Sequence, residues 1–360
     1  MLPVPLQVPV APTLQDAGLL ALIAVIVALL VVTLAFSAYT VVLRLRHEAR
    51  RRLRARLAGA WEGPVLRALA DPDLAPQVHG AVEARYRLHF VQFALEYSRR
   101  VRGEERRTLR ALARPYLAPL AGRASSRRAE VRVRAVQTLG ALGLPGYERE
   151  VLAGLDDPSP VVAMVAARSL ARAEFPEHAA PVLARLHRFD GWSPRFLAAM
   201  LAAMGPQIAG ELRRGLADEG QPAWVRAVEA EALRIQKDLG AADVAARLLG
   251  QPQDPDLLIA ALRLLEVVGR PEHAAAVRAL CGSAHVMVRA YALHSLGTLG
   301  DEGDVPRLIE AMEDPSPWVA IHAARGVRQA GAEQLLAHLA ASDHPSALLA
   351  AQVMEEGRVA

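Results

Sequence analysis

Residue types that often do chemistry are present in this sequence of 360 residues, but their spacing does not assemble a reactive site. His178 and His273 occupy the same place in two copies of Pro-Glu-His-Ala-Ala that lie 95 residues apart. Equivalent positions indicate duplication of a structural unit, and neither histidine has companions at the spacing of a metal site. We therefore predict no metal ligands among the histidines.

Motifs of known reactions are absent as well. The sequence has no Gly-rich phosphate loop, no His-Glu-x-x-His and no nucleophile elbow. Cys281 is the only cysteine, which excludes an intrachain disulfide and a multi-cysteine metal site. The acidic pairs Asp156-Asp157 and Glu313-Asp314 stand in predicted turns, where helix capping is the expected role. These patterns predict no catalytic residues and no cofactor.

Side chains suited to binding a protein recur at fixed places in the chain. Trp, Tyr and Arg, the types enriched at interface hot spots, stand one residue before, three after or six after a repeating apolar anchor. On a helix these places point away from the apolar stripe. An equally supported interpretation is that these long side chains cover neighbouring repeats. The predicted partner-binding residues are Arg134, Arg168, Trp224, Arg263, Tyr291, Trp318, His322 and Arg325.

The elements that position these side chains are helices of a repeat. Apolar or small residues mostly occupy the anchor and the positions 4, 5 and 8 after it, which predicts an amphipathic helix. A second apolar pattern runs between these helices, so each unit of about 31 residues is a helical hairpin. A degenerate copy follows around Leu348. The anchors are Val131, Val162, Phe196, Val225, Leu257, Val288 and Val319.

Helix ends are marked in the sequence. A glycine twelve residues after the anchor predicts a left-handed helix stop in four copies, at Gly143, Gly269, Gly300 and Gly331. Ser-Pro pairs predict helix starts, with the serine hydroxyl as N-cap and proline in the first turn. The capping serines are Ser159, Ser193 and Ser316.

Asp-Pro-Ser-Pro-x-Val-Ala, Val-Arg-x-x-Ala-x-x-x-Leu-Gly-x-Leu-Gly and the 31-residue period resemble HEAT repeats, and more narrowly the short HEAT-like repeats of phycobilisome lyases. The resemblance covers residues 124–360. It implies an all-α fold, an α/α superhelical solenoid of helical hairpins whose second helices line the concave side. Residues 61–123 are predicted to form a divergent helical cap or first repeat. The resemblance also implies an alternative function, a chromophore-lyase-like enzyme.

Residues 17–43 carry no charge, and about 20 apolar residues suffice to span the ~30 Å hydrocarbon core. They predict one transmembrane helix ahead of the solenoid, with residues 1–16 as a short extracytoplasmic tail. An Arg-rich segment, 44–60, follows at once, which predicts a cytoplasmic C-terminal domain. Its arginines also suit anionic lipid headgroups, although a topology signal alone explains them. They are Arg44, Arg46, Arg50, Arg51, Arg52, Arg54 and Arg56.

The charge distribution argues against nucleic acid as the partner. The net charge is +4, but basic residues concentrate near the N-terminal end, and residues 135–360 hold 20 basic against 28 acidic residues. Binding to phosphates needs a continuous basic surface, which this distribution does not supply. The Arg, Ala and Gly bias is typical of a GC-rich bacterial genome. The sequence thus predicts a non-enzymatic scaffold on the inner membrane that binds another membrane or membrane-associated protein through its concave face.

Overall fold

The computed structural model describes residues 14–172 and 174–359, with side chains from residue 21 to residue 356 apart from residue 173. The predicted tail, residues 1–16, lies outside the described residues as far as residue 13. The chain forms two units, residues 1–116 and 117–360. Helices make up 80% of the chain, and no strand occurs among the described residues. The predicted all-α fold is confirmed.

The first unit begins with one very long helix. This helix, α1, spans 57 residues and is followed by three short ones that pack near its C-terminal end. Trp61 on α1 is buried, and its indole Nε1 donates a hydrogen bond to the carbonyl oxygen of Ala81 at 3.2 Å. The indole meets the ring of Phe90 edge-on at 5.3 Å. The helices are α1 (Leu14–Ala70), α2 (Ala75–Ala81), α3 (Arg87–Tyr97) and α4 (Gly103–Ala113).

The N-terminal part of α1 is long and apolar enough to cross a membrane. Its best 18-residue window has a mean hydropathy of 2.8, and no part of that window is buried. The predicted spanning segment 17–43 and the Arg-rich segment 44–60 both lie on α1, which continues without a break past residue 60. All seven arginines of that segment are exposed. The boundaries at residues 16, 43, 60 and 123 stay predictions.

The second unit is a row of helical hairpins, which confirms the predicted solenoid. Its described residues form eight hairpins, and each hairpin has a first helix and a second helix. The first helices are α5 (Ala118–Ala124), α7 (Glu148–Ala153), α9 (Ala179–Leu183), α11 (Ala209–Ala217), α13 (Ala242–Leu249), α15 (Ala274–Leu280), α17 (Val305–Glu310) and α19 (Glu333–Ala340). The second helices are α6 (Ala129–Thr138), α8 (Pro160–Leu170), α10 (Pro194–Ala202), α12 (Ala223–Gln236), α14 (Pro255–Val268), α16 (Val286–Leu299), α18 (Pro317–Gln329) and α20 (Ala347–Val359).

The core of this unit lies along the second helices, which pack on one another from α6 to α8 and again from α10 through α20. Five of the seven predicted anchors are fully buried, and the other two, Val131 and Phe196, are half-buried. Small residues allow close approach. A Cβ on Gly297 of α16 would overlap the backbone of Gly326 on α18, so these two helices touch backbone to backbone. In the last copy the buried apolar residues of α20 are Ala350 and Val353, whereas Leu348 is 87% exposed.

The prediction of left-handed stops was wrong for three of the four glycines. Among them only Gly331 has a positive φ, of 76°. Gly269 and Gly300 have φ values of −68° and −75°. The reason for glycine there is space, because a Cβ on Gly269 would overlap the carbonyl oxygen of Leu265 at the end of its own helix. A left-handed helix end is instead found at Lys237, with φ 54°.

The predicted helix starts are correct in position but not in mechanism. Ser159, Ser193 and Ser316 are the N-cap residues, each before a proline, yet none of their hydroxyls accepts a capping hydrogen bond. Instead, Asp157 and Asp314 accept hydrogen bonds from the backbone N–H of the serine two residues on, at 2.8 Å in both cases. The carboxylate is the stronger acceptor.

The same two carboxylates also join one hairpin to the next. Asp157 receives the guanidinium of Arg132 through two hydrogen bonds of 2.7 and 2.8 Å. Asp314 receives Arg289 in the same way, at 2.8 and 3.2 Å. Both pairs are 25 residues apart, and each arginine directly follows an anchor. The predicted capping role of the acidic pairs is therefore incomplete, because these aspartates also form ion pairs across repeats.

Candidate functional site

The predicted partner-binding residues all lie on second helices, but they fall into two groups. Arg134, Arg168 and Trp318 are exposed, and the structure shows no ion pair for these two arginines among the described residues. Trp318 is 63% exposed at the start of α18. The other five are half-buried, namely Trp224, Arg263, Tyr291, His322 and Arg325.

Three of the half-buried residues take part in a line of side chains that runs across consecutive second helices. We call this line the ladder, and it begins on α12, where Glu231 pairs with Arg234 one turn later through two hydrogen bonds of 2.8 Å. Arg263 of α14 reaches the same carboxylate at 3.4 Å. The ladder consists of Glu231, Arg234, Arg263, Glu266, His294, His322, Arg325 and Glu356.

Opposite charges set the ionisation of the carboxylates in the ladder. Burial acts to raise the pKa of Glu231, but the hydrogen bonds from Arg234 and the charge of Arg263 outweigh it, so the pKa lies below its ordinary value. The His294 imidazole, at 3.4 Å, lowers the pKa of Glu266. Both carboxylates are therefore charged at neutral pH and held by neighbours on the protein itself.

Aromatic rings form the next part of the ladder. The His294 and His322 rings meet edge to face at 5.3 Å, and Tyr291 packs against His322 at 5.1 Å. Burial, followed by the charges of His294 and Arg325, lowers the pKa of His322 to about 4. His322 is thus neutral at physiological pH, which suits packing between repeats and not a charged contact with a partner.

The ladder ends at Arg325, which contacts Glu356 of α20 through two hydrogen bonds of 3.0 and 3.1 Å. For Arg263 and Arg325, the interpretation that long side chains cover neighbouring repeats agrees with the structure. Sequence reasoning missed Glu231 and His294, although both stand six residues after their anchors, in the register of these arginines. Opposite charges at one register in successive repeats were the available signal.

Metal-ligand types gather at two equivalent places beside the first helices. In one, Asp243, Glu272 and His273 offer three ligand atoms within 4.8 Å of one another. There His273 accepts a hydrogen bond from the backbone N–H of Arg270 and binds Asp243 through Nε2, both at 3.0 Å. The Arg270 guanidinium also contacts both carboxylates, so this group already contains its cation. The arrangement caps a helix.

The other place is the equivalent hairpin, where His178 is buried and stands 3.9 Å from Glu148, beside Glu177. His178 Nδ1 has no hydrogen-bond partner among the described residues. Phe175 occupies the position that Arg270 has in the other copy. The two copies therefore share the histidine and its acidic neighbours, which agrees with duplication of a structural unit.

Comparison with known proteins identifies the repeat. The family model of HEAT repeats matches residues 246–328 and, in a second overlapping match, residues 274–354. Residues 246–354 are thus similar to HEAT repeats. The predicted resemblance to HEAT repeats is thus confirmed, and the narrower resemblance to phycobilisome-lyase repeats stays a prediction. A search of curated proteins found no match.

Solved structures with a similar helical array are karyopherins. Kap121p bound to Nup53p is 14% identical, with a TM-score of 0.47, over 83% of this chain and 41% of that chain. Kap121p bound to the extreme C-terminus of the protein phosphatase Cdc14p is also 14% identical, with a TM-score of 0.46, over 84% and 41%. This chain thus spans less than half the length of those proteins. A likeness this distant does not bear on the partners of the HEAT array described here.

Proposed function

We propose that this protein is a membrane-anchored scaffold whose HEAT array holds a protein partner against the face formed by the second helices. The observation that carries the proposal is the exposed indole of Trp318 at the start of α18. Water-exposed tryptophan gives up a large apolar area on binding, and tryptophan is enriched at interface hot spots. Arg134 and Arg168 supply positive charge that no described residue pairs, on the same set of helices.

The role of α1 in this proposal is to fix the array at a membrane. Its apolar window is wholly exposed, unlike the core helix of a soluble domain. The seven exposed arginines that follow favour the cytoplasmic side for the array and suit anionic lipid headgroups. Tethering raises the effective concentration of a membrane-bound partner, so a contact of modest area suffices. The partner proposed here is therefore another inner-membrane or membrane-associated protein.

We propose a binding role and not catalysis, because the titratable groups of the ladder bind one another. Burial also raises the pKa of the Cys281 thiol to about 11, so it is protonated at neutral pH and a poor nucleophile. The alternative of a chromophore-lyase-like enzyme rests on resemblance alone. Tetrapyrrole bound to the protein purified from its own membranes would favour that alternative.

Site-specific photocrosslinking in native membranes tests the proposal. The full chain would carry a photoreactive amino acid in place of Trp318 or, as the control, in place of Leu239, an exposed apolar residue just ahead of a first helix. We expect a discrete membrane-protein adduct from position 318 and none from position 239. Equal adducts from both positions, or none from position 318, would contradict binding on this face.

A topology measurement tests the anchor independently. A reporter that is active only in the cytoplasm, fused after residue 360, should be active, because the arginines of α1 follow the apolar segment. A second reporter, which is active only outside the cytoplasm, should be inactive at the same position. Activity of this second reporter would place the array on the extracytoplasmic side of the membrane. In that case the partner would be extracytoplasmic.

A further inference from the structure

A carboxylate stands in the core of α12 where the other second helices carry an apolar residue. Glu229 is four residues after its anchor and only 1% exposed. Burying a carboxyl group without a partner costs free energy, so a fold rarely keeps one in a core without a use for it. The residues at the equivalent place in the other repeats with a predicted anchor are Ala135, Ala166, Met200, Ala261, Ala292 and Ala323, all buried.

Glu229 forms no direct ion pair among the described residues, although the charge of Arg226 lies nearby. Its Oε2 atom is buried and has no hydrogen-bond partner among the described residues. Arg226, one turn earlier on α12, directs its Nε to the carbonyl oxygen of Leu216 at 3.0 Å and its Nη1 to Gln253 at 3.3 Å. A Cβ on Gly215 of α11 would overlap both carboxylate oxygens of Glu229. The absence of a side chain on Gly215 therefore makes the room for this carboxyl group.

Glu229 lines a cleft of ≈ 650 Å³ between α9, α11 and the start of α12. This volume is in the range of small-ligand sites. Leu183 and Pro222 contribute apolar wall, and Glu211 and Asp218 contribute two further carboxylates. The Oε2 atom of Glu211 is also buried without a hydrogen-bond partner in the described part of the chain.

We propose that this cleft binds an ammonium or guanidinium group at the end of an alkyl chain, with Glu229 as its counter-ion. The apolar wall suits the alkyl chain, and the three carboxylates suit a cation that donates several hydrogen bonds. A lysine or arginine side chain of a partner and a free alkylamine present the same chemistry. The proposal does not depend on partner binding at Trp318, because the cleft lies between the first helices α9 and α11 and the start of α12.

Ionisation of Glu229 gives the proposal a pH signature. Burial raises the pKa of Glu229 to about 8, with the charge of Arg226 opposing the shift and that of Asp218 adding to it. Glu229 is therefore mostly protonated at pH 7 and would lose its proton when a cation binds. Affinity should rise with pH until about pH 8 and then level off.

Other charged groups in the cleft affect the same profile. Arg214 and His187 are exposed at its edge, and Glu211 lines its wall. His187 is a further titratable group beside the proposed cation site. A His187→Gln variant removes this group, and the rise between pH 7 and pH 8 should persist in it.

Calorimetric titration of the full chain in detergent micelles tests the proposal, with agmatine and N-acetyl-arginine methylamide as probes. We expect millimolar binding or tighter at pH 8, with proton release at pH 7 that appears as a dependence on buffer ionisation. Glu229→Gln should weaken binding at least tenfold, on the order of 1.4 kcal/mol. Glu219→Gln makes the same change in net charge at an exposed position outside the lining, and should leave affinity within about twofold.

The outcomes separate cleanly because Glu229→Gln keeps the shape of the side chain and removes a buried charge, so it should melt no lower than the parent chain. Binding of agmatine as well as the blocked arginine supports the shared chemistry with a free alkylamine as a ligand. Binding of the blocked arginine alone supports a protein side chain. Lack of binding by both probes at about 10 mM, or equal binding by Glu229→Gln, overturns the proposal.

Discussion

The two units of this chain are both built of helices, but their cores differ in kind. Residues 117–359 pack Ala, Leu and Val, with Gly297 and Gly326 bringing successive helices into backbone contact. Residues 14–116 instead pack aromatic rings around Trp61, with Phe90 at 5.3 Å from it and Tyr116 at 5.4 Å from Phe90. Small side chains allow the same helix–helix contact to recur from one repeat to the next. The aromatic cluster occurs once and packs only the helices around it.

The difference between the two cores predicts how far the loss of stability from one core substitution spreads. We expect the largest loss from a substitution in the repeats. Val288 is fully buried on α16, between the neighbouring second helices. Val288→Asp would bury an unpaired carboxylate at a cost of several kcal/mol, and coupling between neighbours in a solenoid would carry the loss into adjacent hairpins. Hydrogen exchange should show lost protection in α14 and α18 as well as in α16.

A control for this change lies two residues away on the same helix. Val286 is 38% exposed, so Val286→Asp adds the same charge without burying it and should leave melting nearly unchanged. Loss of protection confined to α16 in Val288→Asp would break the comparison, since the repeats would then fail independently. An unchanged melting temperature would show that the anchor is not in the core.

A substitution in the aromatic core of the first unit is expected to cause a smaller loss of stability. Trp61→Ala removes a buried indole and leaves the carbonyl oxygen of Ala81 without its donor, at a cost of about 3–5 kcal/mol. Hydrogen exchange in α2, α3 and α4 reports this loss. The matched control is Trp318→Ala, which removes an exposed indole and should change stability by less than about 0.5 kcal/mol. Equal destabilisation by the two changes would place Trp318 in a core.

The same difference explains which parts of the fold could be predicted from the sequence. The hairpins were predictable because anchors such as Val288 recur about every 31 residues, and a period is visible without any knowledge of contacts. The aromatic cluster that contains Trp61 was not, because Phe90 and Tyr116 lie 29 and 55 residues further along the chain with no repeating pattern to link them. The way in which the helices end could not be predicted either, since the role of Gly269 depends on steric crowding that is visible only in the folded structure.

The positions of the candidate site residues on the second helices could be predicted from the sequence, but not whether their side chains are free to bind a partner. Positions three and six after the anchor do lie along the second helices, as Tyr291 and Arg325 show. Whether such an arginine is available depends on a neighbouring repeat, since Arg263 pairs with Glu231 of the preceding repeat and Arg325 with Glu356 of the following one. The core pattern predicts an apolar residue four after each anchor, so it did not identify Glu229 as a site residue. The departure from the pattern at this position is nevertheless the more informative signal.

The smallest expected effect concerns the ion pairs that join hairpins, which recur within the repeats. The hydrogen bonds from Arg289, opposed by burial and helped by the N–H of Ser316, hold the pKa of Asp314 below its ordinary value. A carboxyl group whose pKa is lowered by folding adds stability that is present above its unfolded pKa of about 4 and is lost as pH falls through the folded value. The pair therefore stabilises the array at neutral pH and not in strong acid.

Asp314→Asn should reduce stability at pH 7 by on the order of 1 kcal/mol, because an ion pair becomes a hydrogen bond from the charged guanidinium to a neutral amide oxygen. Denaturant unfolding at pH 7 and again below pH 3 should show the difference from the parent chain shrinking in acid. Glu313→Gln is the control, since that neighbouring side chain is more than half exposed and should matter little.

Asp157→Asn should repeat the result of Asp314→Asn, because Arg132 and Asp157 are also 25 residues apart with the same paired geometry. Different pH profiles for the two variants would show that the contact is local to one hairpin, and that the repeats share a core but not their ion pairs.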